Sequence, residues 1–200
     1  HAGDATITLY PGPAGILTRE RERAPGGSVA DAAWRLALYG QGAIVAERSG
    51  GDPLDQPARD ERLRATLTLR RLQRWNSVPD ALISLGAVAP AAEGPPAGLA
   101  KEIAAMLARQ QHPDGSFDLG EISLERSLVA AAEAGRLCAE HEPMVSRRAA
   151  GMLERHAPRV RDPYTAAVLA SSGLVEEPQL ETLRAMVRAA VVRDEAGRAR

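Results

Sequence analysis

The feature that most constrains the fold is a succession of amphipathic segments, rich in Ala, Leu, Arg and Glu, that Pro and Gly separate from one another. These four residue types are strong helix formers. Strands favour aromatic and β-branched residues, and aromatic residues make up only 3% of the chain. One stretch, residues 5–10, alternates as a strand does and ends at Pro11. The sequence therefore predicts an all-α fold with one short N-terminal strand.

Start and stop signals place the helices. Ser28 is a good N-cap for a helix that continues to Tyr39, and we expect Gly40 and Gly42 to end or interrupt it. Its predicted apolar face comprises Val29, Ala33, Leu36 and Ala37. Further helices are expected at about 57–75, 79–88, 97–111, 121–140, 143–156, 163–172 and 177–192.

For two of these helices the sequence also predicts the buried face or the capping residues. The apolar stripe of helix 57–75 is predicted to comprise Leu63, Leu67, Leu69 and Leu72. In helix 163–172, Asp162 is the expected cap, Pro163 is the first helical residue and Gly173 is the stop.

Three helix ends resemble one another: Leu69–Gln73, Met106–Gln111 and Met152–His156. Each closes an amphipathic segment and is followed by a turn and another helix. Their spacing of about 37 and about 46 residues is typical of helix hairpins that bury their apolar faces against one another. We expect an extended segment over residues 1–27 and a helical-repeat domain of about nine helices over residues 28–200.

The most distinctive local pattern is Gln111-His-Pro-Asp-Gly-Ser-Phe117, a helix end followed by a Pro-Asp-Gly turn. Gly115 can adopt positive φ, and the side chain of Asp114 can bond to its own backbone. Phe117 is the only Phe of the chain, and we expect it to fill the seam between two helices. Gln111 is expected to bond to the turn and fix one hairpin to the next, which is a structural role.

A helix that ends in Leu-x-x-x-Gln and leads into Asp-Gly-Ser-aromatic resembles the repeat of α/α-toroid proteins. These include triterpene cyclases, prenyltransferase β-subunits and the thioester domain of the α2-macroglobulin family. Cyclases need an aromatic-lined cavity and an Asp-x-Asp-Asp run, and this chain has few aromatic residues and no such run. Prenyltransferases need a zinc site, and Cys138 with His141 supplies only two ligands. We expect a packed Cys138 and an exposed His141 instead.

The segment Pro25-Gly-Gly-Ser-Val-Ala-Asp31 favours the α2-macroglobulin family, because it is similar to the Pro-x-Gly-Cys-x-Glu-Gln thioester motif that opens a helix in that family. Ser28 stands at the position of the Cys, Ala30 at that of the Glu and Asp31 at that of the Gln. A hydroxyl and a carboxylate cannot form the thioester. The resemblance thus implies a bacterial member that lacks the thioester and is used in protease inhibition or envelope defence. The ring would be reduced, since a complete toroid has roughly twelve helices.

Two other functions remain open. One is a toroid enzyme, terpenoid cyclase-like or glycan-processing, with Asp114, Asp118 and Glu121 as its acids. The other is a helical-repeat scaffold that binds a peptide or protein in its concave face. Ser28 can also be interpreted simply as a helix N-cap, because Ser is a preferred residue at that position.

Charge and hydropathy limit the partners. A formal net charge of -1 argues against a nucleic-acid binder, and no run of 18 apolar residues predicts a membrane span. The expected partners are proteases or other domains of a larger chain, with no cofactor and no metal. The resemblance implies a periplasmic or extracellular location.

Overall fold

The computed structural model describes residues 27–48, 56–89 and 94–191. These residues contain eight α-helices, one short 3-10 helix and no strand, so the predicted all-α class is confirmed. The predicted strand at residues 5–10 and, apart from Gly27, the predicted extended segment 1–27 lie outside the described residues.

The helices are numbered in chain order, and most begin and end within three residues of the predicted bounds. They are α1 (Val29–Arg48), α2 (Gln56–Leu72), α3 (Val78–Val88), α4 (Gly94–Gln110), α5 (Leu124–Cys138), α6 (Pro143–His156), the 3-10 helix Ala157–Arg159, α7 (Pro163–Ser171) and α8 (Gln179–Ala190). No helix among the described residues is long and apolar enough to cross a bilayer.

The chain divides into two compact units. The first comprises His1–Gln73 and Gly86–Leu99, and the second comprises Arg74–Leu85 and Ala100–Arg200.

In the first unit α1 packs against α2. Ala33 and Leu36 are buried as predicted, whereas Val29 and Ala37 are half-buried. The expected break at Gly40 and Gly42 is wrong, because α1 continues to Arg48. A glycine in a helix interior costs about 1 kcal/mol relative to Ala, and that is too little to end a helix whose preceding turns are packed.

The single leucine stripe predicted for α2 is also wrong. Leu69 is fully buried and Leu72 is half-buried, but Leu63 and Leu67 are 42% and 55% exposed. Residues two apart in a helix are separated by about 200° around its axis, so Leu67 and Leu69 cannot share a face. Helix α2 therefore has a buried face and a second, outward-facing leucine pair.

The second unit contains two helix hairpins. α5 packs against α6, α7 packs against α8, and α5 also contacts α7. Their shared core is apolar and includes the fully buried Leu128, Leu153, Leu169 and Leu183. The carboxylate of Glu125, in the first turn of α5, accepts hydrogen bonds from the backbone amides of Arg161 (3.3 Å) and Asp162 (3.2 Å). It thereby joins the start of α5 to the start of α7.

The predicted signals around α7 are confirmed. The Asp162 carboxylate accepts from the backbone amide of Thr165 at 2.7 Å and from its hydroxyl at 2.8 Å. Pro163 is the first helical residue, and Gly173 has φ +72° just after the helix end. These hydrogen bonds from Thr165 lower the pKa of the Asp162 carboxyl below its ordinary value.

Candidate functional site

The first candidate site is the start of α1, where Ser28 and Asp31 bond to each other. The Ser28 hydroxyl accepts from the backbone amide of Asp31 at 3.1 Å, and Asp31 Oδ2 accepts from the backbone amide of Ser28 at 3.2 Å. The Ser28 carbonyl also accepts the first helical hydrogen bond, from the amide of Ala32 at 3.0 Å. This arrangement is a reciprocal capping box with Asp in place of the usual Glu.

The chemistry available at this site follows from those bonds. Ser28 and Ala30 are exposed, and Asp31 is half-buried. The hydroxyl and the carboxylate each satisfy a backbone amide that the first turn of a helix leaves without an intrahelical partner. Ala30 adds no polar atom. The three residues at the thioester-like positions thus lie together at one helix end, and the two polar side chains among them both act in capping.

The second candidate site is the turn Gln111–Phe117, which follows α4. It is closed by an isolated antiparallel bridge between Gln111 and Phe117 and by a hydrogen bond from the His112 amide to the Ser116 carbonyl (2.9 Å). Phe117 is buried. The backbone therefore forms a tight loop with Pro113, Asp114 and Gly115 at its tip.

Gln111 is a buried polar residue at the base of this loop. Its Nε2 donates to the carbonyl of Gly115 at 3.3 Å and to the carbonyl of Val145, in α6, at 3.1 Å. Because both partners are acceptors only, the NH₂ group of the amide must face them. The Gln111 side chain thus joins the base of the loop to its tip and also joins the loop to α6.

The tip of the loop contacts α6 as well. Gly115 has φ +93°, and a Cβ at this position would lie 2.3 Å from the Arg148 carbonyl oxygen and 2.9 Å from Met152 Cβ. Arg155 donates to the Asp114 carbonyl at 2.6 Å. The position therefore requires glycine for two reasons, its backbone conformation and its close approach to a helix.

The acids proposed for an enzyme occupy local turn positions. Asp114 Oδ1 accepts from the amide (3.0 Å) and hydroxyl (2.7 Å) of Ser116, and Asp118 Oδ1 accepts from the Gly120 amide at 3.3 Å. Asp114, Asp118 and Glu121 are all exposed. The bonds from Ser116 lower the pKa of the Asp114 carboxyl, whereas a general acid needs a raised one.

Cys138 is packed, as expected, whereas His141 is half-buried rather than exposed. Cys138 is fully buried, and desolvation, followed by the nearby Glu142, raises the pKa of its thiol to about 12. The thiolate that binds metals is therefore disfavoured. Within residues 27–48, 56–89 and 94–191, no group of three His, Cys, Asp or Glu side chains is arranged to hold a metal.

Sequence reasoning missed two clefts. One, of about 270 Å³, is lined by Glu154, Glu176, Glu177 and Gln179 among others. The other, of about 130 Å³, lies between α1 and α2 beside Arg35, Glu61 and Arg64. The first cleft combines residues 174–179 with Ala150 and Glu154, and the second combines residues of two helices, so each needs the folded chain to bring its walls together.

Comparison with known proteins adds no relative. No protein-family model, curated protein or solved structure matches the chain.

Proposed function

We propose that this chain is a helical domain of the α2-macroglobulin-like kind that binds protein partners, proteases among them, without forming a covalent bond. The observation that carries the proposal is the Ser28–Asp31 capping box at the opening of α1. It occupies the two positions, three residues apart, at which the family motif has the Cys and Gln of the thioester.

The side chains of Ser28 and Asp31 determine that any binding is non-covalent. A thioester requires a thiol and a carboxamide carbon, and Ser28 and Asp31 supply a hydroxyl and a carboxylate. Both groups already bond to backbone amides, and Ser28 is exposed to water. Cys138 cannot replace the missing thiol, because it is fully buried in α5. Any complex with a protease would therefore rest on contact surfaces alone.

The arrangement of the hairpins supports a toroid-like architecture, reduced in the number of helices. α5–α6 and α7–α8 are successive hairpins, and α5 contacts α7. The Gln111 loop reaches forward to α6, as a device that joins one repeat to the next would do. A periplasmic or extracellular role in protease inhibition or envelope defence belongs to the same proposal.

Two measurements test the covalent and the binding parts separately. After methylamine treatment, mass spectrometry of the chain should show no added mass. After incubation with active proteases of the serine, cysteine and metallo classes, a complex should co-elute in native size-exclusion chromatography and dissociate in denaturing gels. The double variant Ser28→Ala/Asp31→Ala is the control, and it should bind as well as the parent chain.

The outcomes separate the alternatives. Methylamine incorporation, or a complex that survives denaturation, would overturn the non-covalent mechanism. Failure to form a complex with any of the three protease classes would overturn the protease-binding role.

A helical-repeat scaffold is the second candidate, because stacked hairpins present the kind of extended surface that such proteins use. It predicts binding to a peptide or non-protease protein that does not depend on protease activity. The incubation with proteases distinguishes the two proposals, since a scaffold for another partner should form no complex with any of the three protease classes but should bind a peptide or non-protease protein.

A further inference from the structure

The outward face of α2 has an unusual order of side chains. Asp60, Leu63, Leu67 and Arg70 are all exposed, and they follow one another at spacings of three, four and three residues. This is the spacing of the a and d positions of a coiled coil, which form one continuous seam along a helix. The residues that face the core of the first unit, such as Ala65 and Leu69, belong to other positions.

The seam is symmetric about residue 65. Leu63 and Leu67 lie two residues on either side of it, and Asp60 and Arg70 lie five residues on either side. At 1.5 Å of rise per residue, each member of a pair is equally far from the midpoint, about 7.5 Å for the charged pair. The acid is at one end and the base at the other, with the leucines between them.

A second helix of the same sequence, laid antiparallel on this face, places a complementary residue opposite each of the four seam residues. Leu63 of one copy faces Leu67 of the other, Asp60 faces Arg70, and both contacts occur twice because the arrangement has two-fold symmetry. We propose that the seam Asp60–Leu63–Leu67–Arg70 is a homodimer interface in which the α2 helices of two copies pack antiparallel.

The charges favour this occupant over others. An anionic membrane surface attracts basic residues and repels acidic ones, and the seam carries one of each sign. A parallel arrangement of two copies would place Asp60 beside Asp60 and Arg70 beside Arg70, which is repulsive. Asp60 and Arg70 each also have an interaction within their own chain. The pairs between copies would therefore determine the orientation of the two helices more than the affinity of the dimer.

The leucines supply the attraction, and its size sets the expected affinity. Two leucines per copy make an apolar patch well below the roughly 1,600 Å² of total area that a standard interface buries. The dimer should therefore be weak and reversible. This proposal does not rest on the proposed protease binding, because it is argued from the exposed face of α2 alone.

Sedimentation equilibrium over a range of protein concentrations tests the proposal. The parent chain should follow a monomer–dimer equilibrium. Leu67→Ser removes one leucine from each copy and should raise the dimer dissociation constant about a hundredfold. Leu124→Ser is the matched control, because Leu124 is 40% exposed and lies outside the seam. It should leave the constant unchanged.

Charge reversal tests the antiparallel orientation. Asp60→Arg alone and Arg70→Asp alone should each raise the dissociation constant about tenfold, because each brings like charges together at two symmetric places. The double variant Asp60→Arg/Arg70→Asp restores opposite charges and should return the constant to within about twofold of the parent value. Circular dichroism and the melting temperature verify that every variant is folded. We expect this result because all the substituted positions are exposed.

Three results would overturn the proposal. These are a monomer at all concentrations, a dimer that Leu67→Ser does not weaken, and a double charge reversal that fails to rescue the single ones.

Discussion

The two candidate sites, at the start of α1 and in the loop after α4, differ in the reach of their contacts. Among the described residues, the polar side chains of Ser28 and Asp31 bond to each other's backbone, three residues apart. In the Gln111–Phe117 loop, contacts extend 34 residues from Gln111 to Val145 and 41 residues from Asp114 to Arg155. The first site stabilises one helix end, whereas the second holds separate elements of the second unit together. Of the two sites, the one that resembles a reactive motif therefore makes the shorter-range contacts.

That contrast predicts the largest loss of stability at Gly115. Gly115→Ala forces a side chain into a left-handed conformation and places its Cβ against the Arg148 carbonyl, so we expect the free energy of unfolding to fall by about 3 kcal/mol or more. Urea titration followed by circular dichroism measures it. Gly120→Ala is the matched control, because φ is +72° there with no atom within 4 Å of the added Cβ. It should cost only about 1–2 kcal/mol, and equal losses in the two variants would refute the close contact.

Gln111 should come next. Gln111→Leu leaves the Gly115 and Val145 carbonyls without their buried donor, and we expect a loss of about 2 kcal/mol. Gln110→Leu is the control, since Gln110 is the adjacent residue and its amide donates to the Trp75 carbonyl at a more exposed position (3.3 Å). It should cost less than about 1 kcal/mol. If Gln110→Leu costs as much as Gln111→Leu, the bridge to α6 adds nothing to stability.

The start of α1 should be more tolerant. Ser28→Ala removes one cap bond, and the expected loss is about 1 kcal/mol. Ser28→Asp keeps an acceptor at the N-cap and should recover most of it. Amide hydrogen exchange localises the effect, which should be confined to the first turn of α1. Loss of protection in α5–α8 as well would contradict the local character of the capping box.

Local signals allowed much of this to be predicted from the sequence. The caps at Ser28 and Asp162 and the turn at Asp114 depend on residues within three positions, so residue type and spacing suffice. Glu125, which reaches the amides of Arg161 and Asp162, and Arg155, which reaches Asp114, were missed because their partners are 36 to 41 residues away. Leu63 and Leu67 lie on a different face of α2 from Leu69, and hydropathy alone does not reveal which of two leucine-bearing faces packs against a partner. The continuation of α1 through Gly40 and Gly42 likewise depends on packing.

The smallest expected effect is the pH dependence contributed by Asp114. Hydrogen bonds from Ser116 lower the pKa of this carboxyl in the folded chain, so its stabilising contribution is present above the unfolded value of about 3.9. The contribution is lost as the pH falls through the lower, folded value. Since Asp114 is exposed, solvent screening keeps the contribution small.

Asp114→Asn should make the free energy of unfolding slightly less dependent on pH below about 4. Asp118→Asn serves as a neighbouring control. If the parent chain and the Asp114→Asn variant have superimposable pH profiles, the bonds from Ser116 do not favour the ionised carboxylate. The loop would then contribute to stability through its backbone contacts alone.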